Sequence, residues 1–329
     1  MTVQTEPAAA RTGFAATGFG PVAKRRLEIR QVWAHNVEQE FALIRHAAER
    51  FPYVSMDTEF PGVIHRPNPR NAHHAALTPS ENYAAVRANV DALHLIQVGL
   101  AFAASPDAPA PCLAFQINLR EFDPRVHRHA PDSVALLRDH GLDFAAHRAH
   151  GVDARVFAAL LMSSGLVCCC PGVTWVTFSG GYDFGYLVKL LMGRKLPKTL
   201  PEFLGLVRVF FGDAVYDVKH VIRSCPGVPG GLDKAAAALG VARESGMAHQ
   251  AGSDAALTWA VFRRVREVYF AKGGVRGFAG VVHSLELHLD LNYGSGNKCG
   301  GGGGNRNRNR SGNRNGRKQV SPVAVAALR

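Results

Sequence analysis

Apolar positions along the chain recur with two different periods, and this alternation predicts strands interleaved with helices. After an N-cap-type Asn36, apolar residues recur at roughly the spacing of an amphipathic helix: Val37, Phe41, Leu43, Ile44 and Ala48. We expect this helix to end before Pro52 because proline cannot continue a helical hydrogen-bond pattern. A helix followed at once by an apolar run is the pattern that the rest of the chain repeats.

The apolar run 53–60 has the length of a buried strand. Two later runs, 95–102 and 112–119, are joined by a Pro-rich turn, and we expect them to form a hairpin beside the first strand. Shorter strands are predicted at 174–178 and 214–216. One antiparallel hairpin among strands separated by helices predicts a mixed sheet.

Helical patterns separate these strands. They lie at 81–94, 183–191, 201–210, 217–223, 232–239 and 253–270, with several further segments between 132 and 162. In the last helix we expect a core-facing stripe of Leu257, Val261, Val265 and Val268. Strands and helices in this order predict an α/β or α+β layered fold around the mixed sheet.

The two ends of the chain differ from the middle in composition. Residues 1–28 combine Ala, Gly, Thr and Pro with a short Lys-Arg-Arg cluster, and residues 293–329 are rich in Gly, Asn and Arg. Neither composition can bury enough apolar surface to fold alone, so both are predicted to be disordered extensions. Tails of the second kind often track a nucleic-acid backbone, and a tail with no specific role is an equal alternative. Residues 29–292 are expected to form one domain.

The overall composition is that of an ordinary soluble protein. Of 329 residues, 47% are hydrophobic and 19% charged, and no apolar run of about eighteen residues exists that could span a membrane. We therefore expect no membrane association. The start lacks the regions of a signal peptide, although its scarcity of acids leaves a transit peptide open. The run Cys168-Cys169-Cys170 suits neither a disulfide framework nor a zinc site, which indicates reduced, buried thiols and a cytoplasmic and nuclear location.

The formal charge of +12 is distributed unevenly. From Gly300 onwards the chain contains seven Lys or Arg residues and no acid, and the remaining body is still basic. A basic body suits a polyanionic partner such as RNA, although basicity alone does not identify one.

Two carboxylates interrupt the predicted strand 53–60. Because alternate side chains of a strand share a face, Asp57 and Glu59 point one way and Thr58 the other. Like charges this close raise each other's pKa, whereas a bound cation lets both stay ionised. Two solvated acids at a strand end are the plainer interpretation of the D-x-E motif by itself.

Two more acids occupy places where elements begin. Asp183 follows a predicted strand and two glycines at the start of a helix, and Asp254 opens the last long helix, five residues after His249. Each acid alone is typical of an N-cap. Together with Asp57 and Glu59 they have the order that a two-metal phosphodiesterase needs, since two Mg²⁺ or Mn²⁺ ions about 3.5–4 Å apart require several oxygen ligands. A neutral histidine near pH 7 can take the proton of the attacking water.

Four strings in the sequence resemble the DEDDh exonucleases, and within them the Pop/Caf-type deadenylase subunit of the Ccr-Not complex. The strings are Met56 to Gly62, Gly181 to Leu187, Tyr216 to Lys219 and His249 to Asp254. The resemblance extends from about residue 27 to residue 295.

This resemblance implies an RNase H-like fold, a mixed sheet flanked by helices. It implies that Asp57, Glu59, Asp183 and Asp254 ligate two divalent metal ions and that His249 is the general base. It further implies 3′-to-5′ removal of poly(A) from mRNA with release of AMP. The partners that it implies are poly(A) RNA, a helical-repeat Not scaffold subunit and a leucine-rich-repeat deadenylase subunit.

One position departs from the family pattern, since Ser179 stands where the family usually has a histidine. Ser179 is not one of the five catalytic positions, so we expect activity to survive with altered substrate positioning. Phe60 is expected either to stack an RNA base or to pack in the core. Two other functions stay open: an exonuclease acting on other RNA or DNA, and a catalytically idle adaptor in an mRNA-decay assembly. The complete set of four carboxylates and a histidine counts against the adaptor.

Overall fold

The computed structural model of the chain describes residues 27–66, 77–168 and 172–286. Nearly all of the two predicted terminal extensions, 1–28 and 293–329, lies outside these residues. The described residues are built on one six-stranded mixed sheet with helices on both faces, as predicted.

Five of the six strands match the apolar runs of the sequence. The strands are β1 Ile29–Val32, β2 Tyr53–Glu59, β3 Gln97–Ala103, β4 Leu113–Asn118, β5 Thr174–Thr177 and β6 Val215–Asp217. Their order in the sheet is β1-β4-β3-β2-β5-β6. Only β3 is antiparallel to its neighbours, β2 and β4, and the remaining pairs are parallel. The predicted hairpin of β3 and β4 therefore lies beside β2, and the fold is the RNase H-like one.

The helices fall between the strands where the apolar periodicity places them. They are α1 Val37–Arg50, α2 Pro79–Ala92, α3 Pro131–Asp139, α4 Phe144–His150, α5 Ala154–Met162, α6 Gly181–Met192, α7 Leu200–Phe211, α8 Val218–Ile222, α9 Leu232–Ala238 and α10 Ala251–Tyr269, followed by the 3₁₀ turn Arg276–Phe278. Proline occupies the first turn of α2, α3 and α7, where its missing N–H costs nothing.

Apolar residues form a separate core on each face of the sheet. On one face α1, α2, α5, α6 and α7 surround a large cluster that includes Phe41, Leu100 and Phe184. On the other face α8, α9 and α10 enclose a second cluster around Trp259 and Phe262. The sheet is thus buried on both sides, so a polar side chain in the middle of it needs a specific partner.

The start of α10 lies directly on the sheet because two glycines leave room for it. A Cβ on Gly99 of β3 would come within 1.9 Å of the Ala251 carbonyl oxygen, and a Cβ on Gly252 within 2.7 Å of Ile29. Neither distance is possible for a real side chain. This close approach fixes the position of the first turn of α10 relative to β3.

Three details differ from the sequence predictions. Strand β1 was not predicted, and it exists because it pairs with β4. Two residues expected on apolar helix faces are exposed, Val268 of α10 to 48% and Leu43 of α1 to 37%. Of the described cysteines, all reduced as expected, Cys225 is buried, whereas Cys168 is half-buried and Cys112 exposed; Cys169 and Cys170 of the predicted buried run lie outside the described residues.

Within the three described ranges, none of the helices combines the length and the apolar character that crossing a membrane requires.

Candidate active site

Strand β2 carries Asp57 and Glu59 at its carboxyl end, in the centre of the sheet. Asp57 pairs with Gly99 and Glu59 with Gln97 of β3, and both acids are half-buried. Thr58 between them points to the opposite face, as predicted, where its hydroxyl donates a 2.5 Å hydrogen bond to Asp183 Oδ1. The strand therefore presents acids towards α10 and a hydrogen-bond donor towards α6.

Asp183 is placed by a tight turn at the end of β5. Ser179 in this turn has a φ of 66°, in the left-handed region that non-glycine residues rarely occupy. The backbone N–H groups of Ser179 and Gly180 donate to the carboxylate of Asp217, at 2.8 and 2.9 Å. Asp217 is fully buried and also accepts from the backbone of Lys219 and His283. This buried carboxylate fixes the turn, and hence the first turn of α6 that holds Asp183.

Two glutamines of the sheet hold the start of α10. Gln97 Oε1 accepts from the backbone N–H of Ala251 at 3.3 Å, and Gln116 Oε1 accepts from that of Gly252 at 3.1 Å. They satisfy N–H groups that a helix N-terminus leaves unpaired, a role that a capping side chain in the helix usually has. Asp254 lies one turn further on and is 8% exposed, so the plain N-cap interpretation of this acid is wrong.

His249 and Asp254 are joined through the loop before α10. The backbone N–H of His249 donates to Asp254 Oδ2 at 3.1 Å, and His249 has a left-handed φ of 58°. A strained backbone in a well-packed fold is a common sign of a functional position. The other Asp254 oxygen, Oδ1, lies 2.5 Å from Nη1 of Arg243.

The five predicted side chains converge at the end of β2. Ligand atoms of Glu59, His249 and Asp254 lie within 4.8 Å of one another, which is close enough for one metal ion. Asp57 and Asp183 join them electrostatically, since the charge of Asp183 acts on both acids of β2. Among the described residues, the group of His, Cys, Asp and Glu side chains with metal-binding geometry consists of Glu59, His249 and Asp254, without Asp57 and Asp183.

Burial and mutual repulsion raise the pKa values of these acids. Burial raises the pKa of Asp57 and of Glu59 well above the usual range, and the charges of Asp183 and Asp254 raise both further. Burial raises the pKa of Asp183 to about 7, against the lowering effect of the Thr58 hydrogen bond. A bound divalent cation would allow these neighbouring carboxyl groups to ionise together, and their oxygens are the ligands that such a cation prefers. The residues therefore fit a divalent metal ion.

His249 is suited to accept a proton. Its ring is half-buried, and burial lowers its pKa below the usual range, against the opposing charge of Asp254. The ring of His140 packs edge-on against it with centroids 4.7 Å apart. A neutral imidazole held in this way can act as a base near pH 7.

Several residues that shape the site could not be recognised from the sequence. Arg243, Gln97 and Gln116 carry no motif, and only their contacts reveal their roles. Asp217 lies in one of the strings that carry the family resemblance, but the sequence did not indicate what this residue does. Phe60 stacks on Tyr182 at 4.9 Å and packs against the large core, which favours the core alternative over base stacking.

Comparison with known protein families gives one match. The sequence profile of the CAF1 family ribonuclease matches residues 32–153. These residues include β2 and both of its acids, but not α6 or α10.

Relatives that cover more of the chain are found among curated proteins. The probable CCR4-associated factor 1 homolog 7 of Arabidopsis thaliana is 42% identical over 265 residues, which are 79% of this chain and 94% of the relative. The poly(A) ribonuclease pop2 of Schizosaccharomyces pombe is 39% identical over 260 residues, 78% of this chain and 75% of the relative.

Solved structures give the same result. S. pombe Pop2p in its Mg²⁺- and Mn²⁺-bound form has a TM-score of 0.71 and 39% identity, covering 78% of this chain and 99% of that one. A chain in the structure of the yeast NOT1 MIF4G domain co-crystallised with CAF1 has a TM-score of 0.65 and 27% identity, covering 81% of this chain and all of its own length.

Proposed function

The chain belongs to the CAF1 family of ribonucleases, and from this premise we propose that it is a deadenylase, a poly(A)-specific 3′-to-5′ exoribonuclease that shortens mRNA tails and releases AMP. One observation carries the proposal. Four carboxylates and a histidine converge at the end of β2, in a chain 39% identical to the poly(A) ribonuclease pop2.

The residues that hold divalent metal in this proposal are Asp57, Glu59, Asp183 and Asp254. Their number and their oxygen donors suit two Mg²⁺ or Mn²⁺ ions. Such ions, when bound, supply charge neutralisation at the phosphate and activation of the attacking water. The support from the related protein is that S. pombe Pop2p has been solved with both ions.

The chain's own residues supply orientation and proton transfer. A ring nitrogen of His249 takes the proton of the attacking water, because burial keeps the imidazole neutral near pH 7. The backbone hydrogen bond from His249 to Asp254 keeps the base next to the acid cluster. The Thr58 hydroxyl holds Oδ1 of Asp183 and so fixes the orientation of this carboxylate at the site.

Assembly with other proteins is part of the proposal. The likeness to a chain co-crystallised with the NOT1 MIF4G domain supports binding to a Not scaffold subunit of the Ccr-Not complex. A leucine-rich-repeat deadenylase partner is proposed from the family resemblance alone, and a cytoplasmic and nuclear location from the cysteine pattern.

A timed digestion tests the proposal. The full chain is incubated with a 5′-labelled RNA that ends in a 3′ poly(A) tail, in Mg²⁺, Mn²⁺ or EDTA. We expect shortening from the 3′ end with release of AMP in either metal, and no reaction in EDTA. Oligo(A), oligo(U) and single-stranded DNA of equal length are compared in parallel.

Each alternative has its own outcome. Equal rates on oligo(A), oligo(U) and DNA would replace the deadenylase by a general exonuclease. Metal binding without hydrolysis of any substrate would indicate the idle adaptor. Persistent activity in EDTA would contradict the proposed use of divalent ions.

A further inference from the structure

Arg243, in the loop between α9 and α10, makes a close contact with the acid cluster. Its Nη1 lies 2.5 Å from Asp254 Oδ1 and 2.7 Å from Ser253 Oγ, and its Nη2 lies 2.7 Å from Asp233 Oδ1. The side chain is 16% exposed. A guanidinium tied at both ends and largely buried has little freedom to move away.

The charge of Arg243 reaches beyond Asp254. It lowers the pKa of Asp57 and of Glu59, against the burial and the like charges that raise them. Arg243 is the cation that lowers the pKa of both β2 acids. Arg243 therefore partly neutralises the cluster that the proposed metal ions would neutralise.

We propose that Arg243 is a positioning residue that competes with divalent metal for the charge of Asp254. This inference rests on the proposed metal-dependent function. Asp254 Oδ1 forms the ion pair with Arg243 but accepts no aligned hydrogen bond, whereas Oδ2 accepts one from the His249 backbone. The guanidinium keeps the acids assembled without metal. In return it weakens metal binding, because a cation beside the site repels an incoming ion.

The opposite expectation makes the inference testable. If Arg243 only held Asp254 in place, its loss would weaken metal binding. If it competes with the metal, removal of its charge strengthens metal binding, while the metal-free chain becomes less stable because a buried carboxylate loses its partner.

The test is calorimetric titration of the EDTA-stripped full chain with Mn²⁺. For Arg243→Gln we expect binding about tenfold tighter than in the wild type, the order given by one unit charge a few ångströms from a divalent ion in a partly screened site. We also expect a lower melting temperature in EDTA and a larger rise on Mn²⁺ addition. Arg243→Lys keeps the positive charge but loses the two-pronged guanidinium. The Mn²⁺ affinity of this variant should lie between those of the wild type and Arg243→Gln.

Arg30 provides the matched control. It is also a half-buried arginine in a short ion pair, 2.6 Å from the buried Glu40, on the strand β1. Arg30→Gln should lower stability and leave Mn²⁺ affinity unchanged. If both Arg243 variants bind Mn²⁺ as tightly as the wild type or more weakly, the inference about Arg243 is wrong and the proposed function is unaffected. A wild-type chain that binds no Mn²⁺ overturns the proposed function instead.

Discussion

At the scale of single residues, the acids at the end of β2 are held together against their own repulsion. Burial raises the pKa values of Asp57, Glu59 and Asp183, and each has a neighbour of like charge. Contacts from Thr58 and Arg243 offset part of this repulsion. The repulsion among these acids therefore lowers the stability of the folded chain without metal and favours the binding of cations.

Replacing Asp183 by asparagine should separate catalysis from folding. The amide keeps an oxygen that can accept from Thr58 but loses the negative charge. We expect hydrolysis of polyadenylated RNA to fall by about a thousandfold, since a metal ligand is lost. The far-ultraviolet circular dichroism spectrum should not change. Asp213→Asn is the control, because Asp213 is an exposed acid paired with the exposed Arg208, and it should retain full activity.

The raised pKa of Asp183 also predicts that the stability of the metal-free chain depends on pH. The pKa of Asp183 is raised to about 7 in the folded chain, so its ionisation disfavours folding, and stability is lost as pH rises from about 4 to 7. Histidines with lowered pKa values, such as His94 and His249, make the chain more stable as pH rises. The effect of Asp183 therefore shows only in the difference between the variant and the wild type. The melting temperature of Asp183→Asn relative to wild type should be higher at pH 8 than at pH 5. A constant difference would show that Asp183 is already ionised at pH 5.

At the scale of elements, the start of α10 depends on contacts from several strands of the sheet. Gln31 of β1 accepts hydrogen bonds from Gln116 and Asn118 of β4, and Gln116 in turn holds the backbone of Gly252. The short edge strand thus supports the loop that carries His249 and the turn that carries Asp254. A polar network of this kind is satisfied only when strand, sheet and helix are all in register.

Gly99→Ala tests this arrangement. The new Cβ would overlap the carbonyl oxygen of Ala251, so α10 must shift away from β3. We expect the free energy of unfolding to fall by about 1–3 kcal/mol and hydrolysis to fall with it, because His249 and Asp254 move with the helix. Urea unfolding and the RNA digestion measure both effects.

Gly205→Ala is the matched control. Gly205 lies in α7 with no heavy atom within 4 Å of an added Cβ. Its replacement should raise the free energy of unfolding by about 0.5–1 kcal/mol, the usual gain for alanine over glycine in a helix, and leave activity unchanged. If both alanines had the same effect, the close approach at Gly99 would not control the site.

The sequence predicts most elements because their patterns are local. Periodicity identifies five strands and the helices, but β1 is four residues long and its burial depends on pairing with β4. The D-x-E motif and the family strings identify the acids and His249. Arg243 and Gln97 could not be found this way, since their partners lie 11 and 154 residues away and only the fold brings them together.

At the scale of the whole molecule, the site joins the two cores. Asp183 comes from a helix on one face of the sheet and Asp254 from a helix on the other, while β2 supplies the acids between them. A cation bound by all of these elements would tie both layers to the sheet. Metal should therefore stabilise the entire domain rather than a single loop.

Addition of Mn²⁺ to the EDTA-stripped chain should raise its melting temperature by about 5 °C at a concentration a hundredfold above the dissociation constant. Differential scanning calorimetry should give a single transition with and without metal. In Asp183→Asn the shift should shrink to less than half. An unchanged melting temperature in the wild type would mean that the acids bind no metal in the folded state.

The order in which the site residues occur has a consequence for protein synthesis. Asp57 and Glu59 leave the ribosome early, but His249 and Asp254 come nearly two hundred residues later and reach the sheet only when α10 docks over Gly99. A nascent chain therefore lacks the proton acceptor and the fourth acid until almost the whole domain has been translated. The proposed site can therefore be completed only after the last long helix has been made and has docked on the sheet.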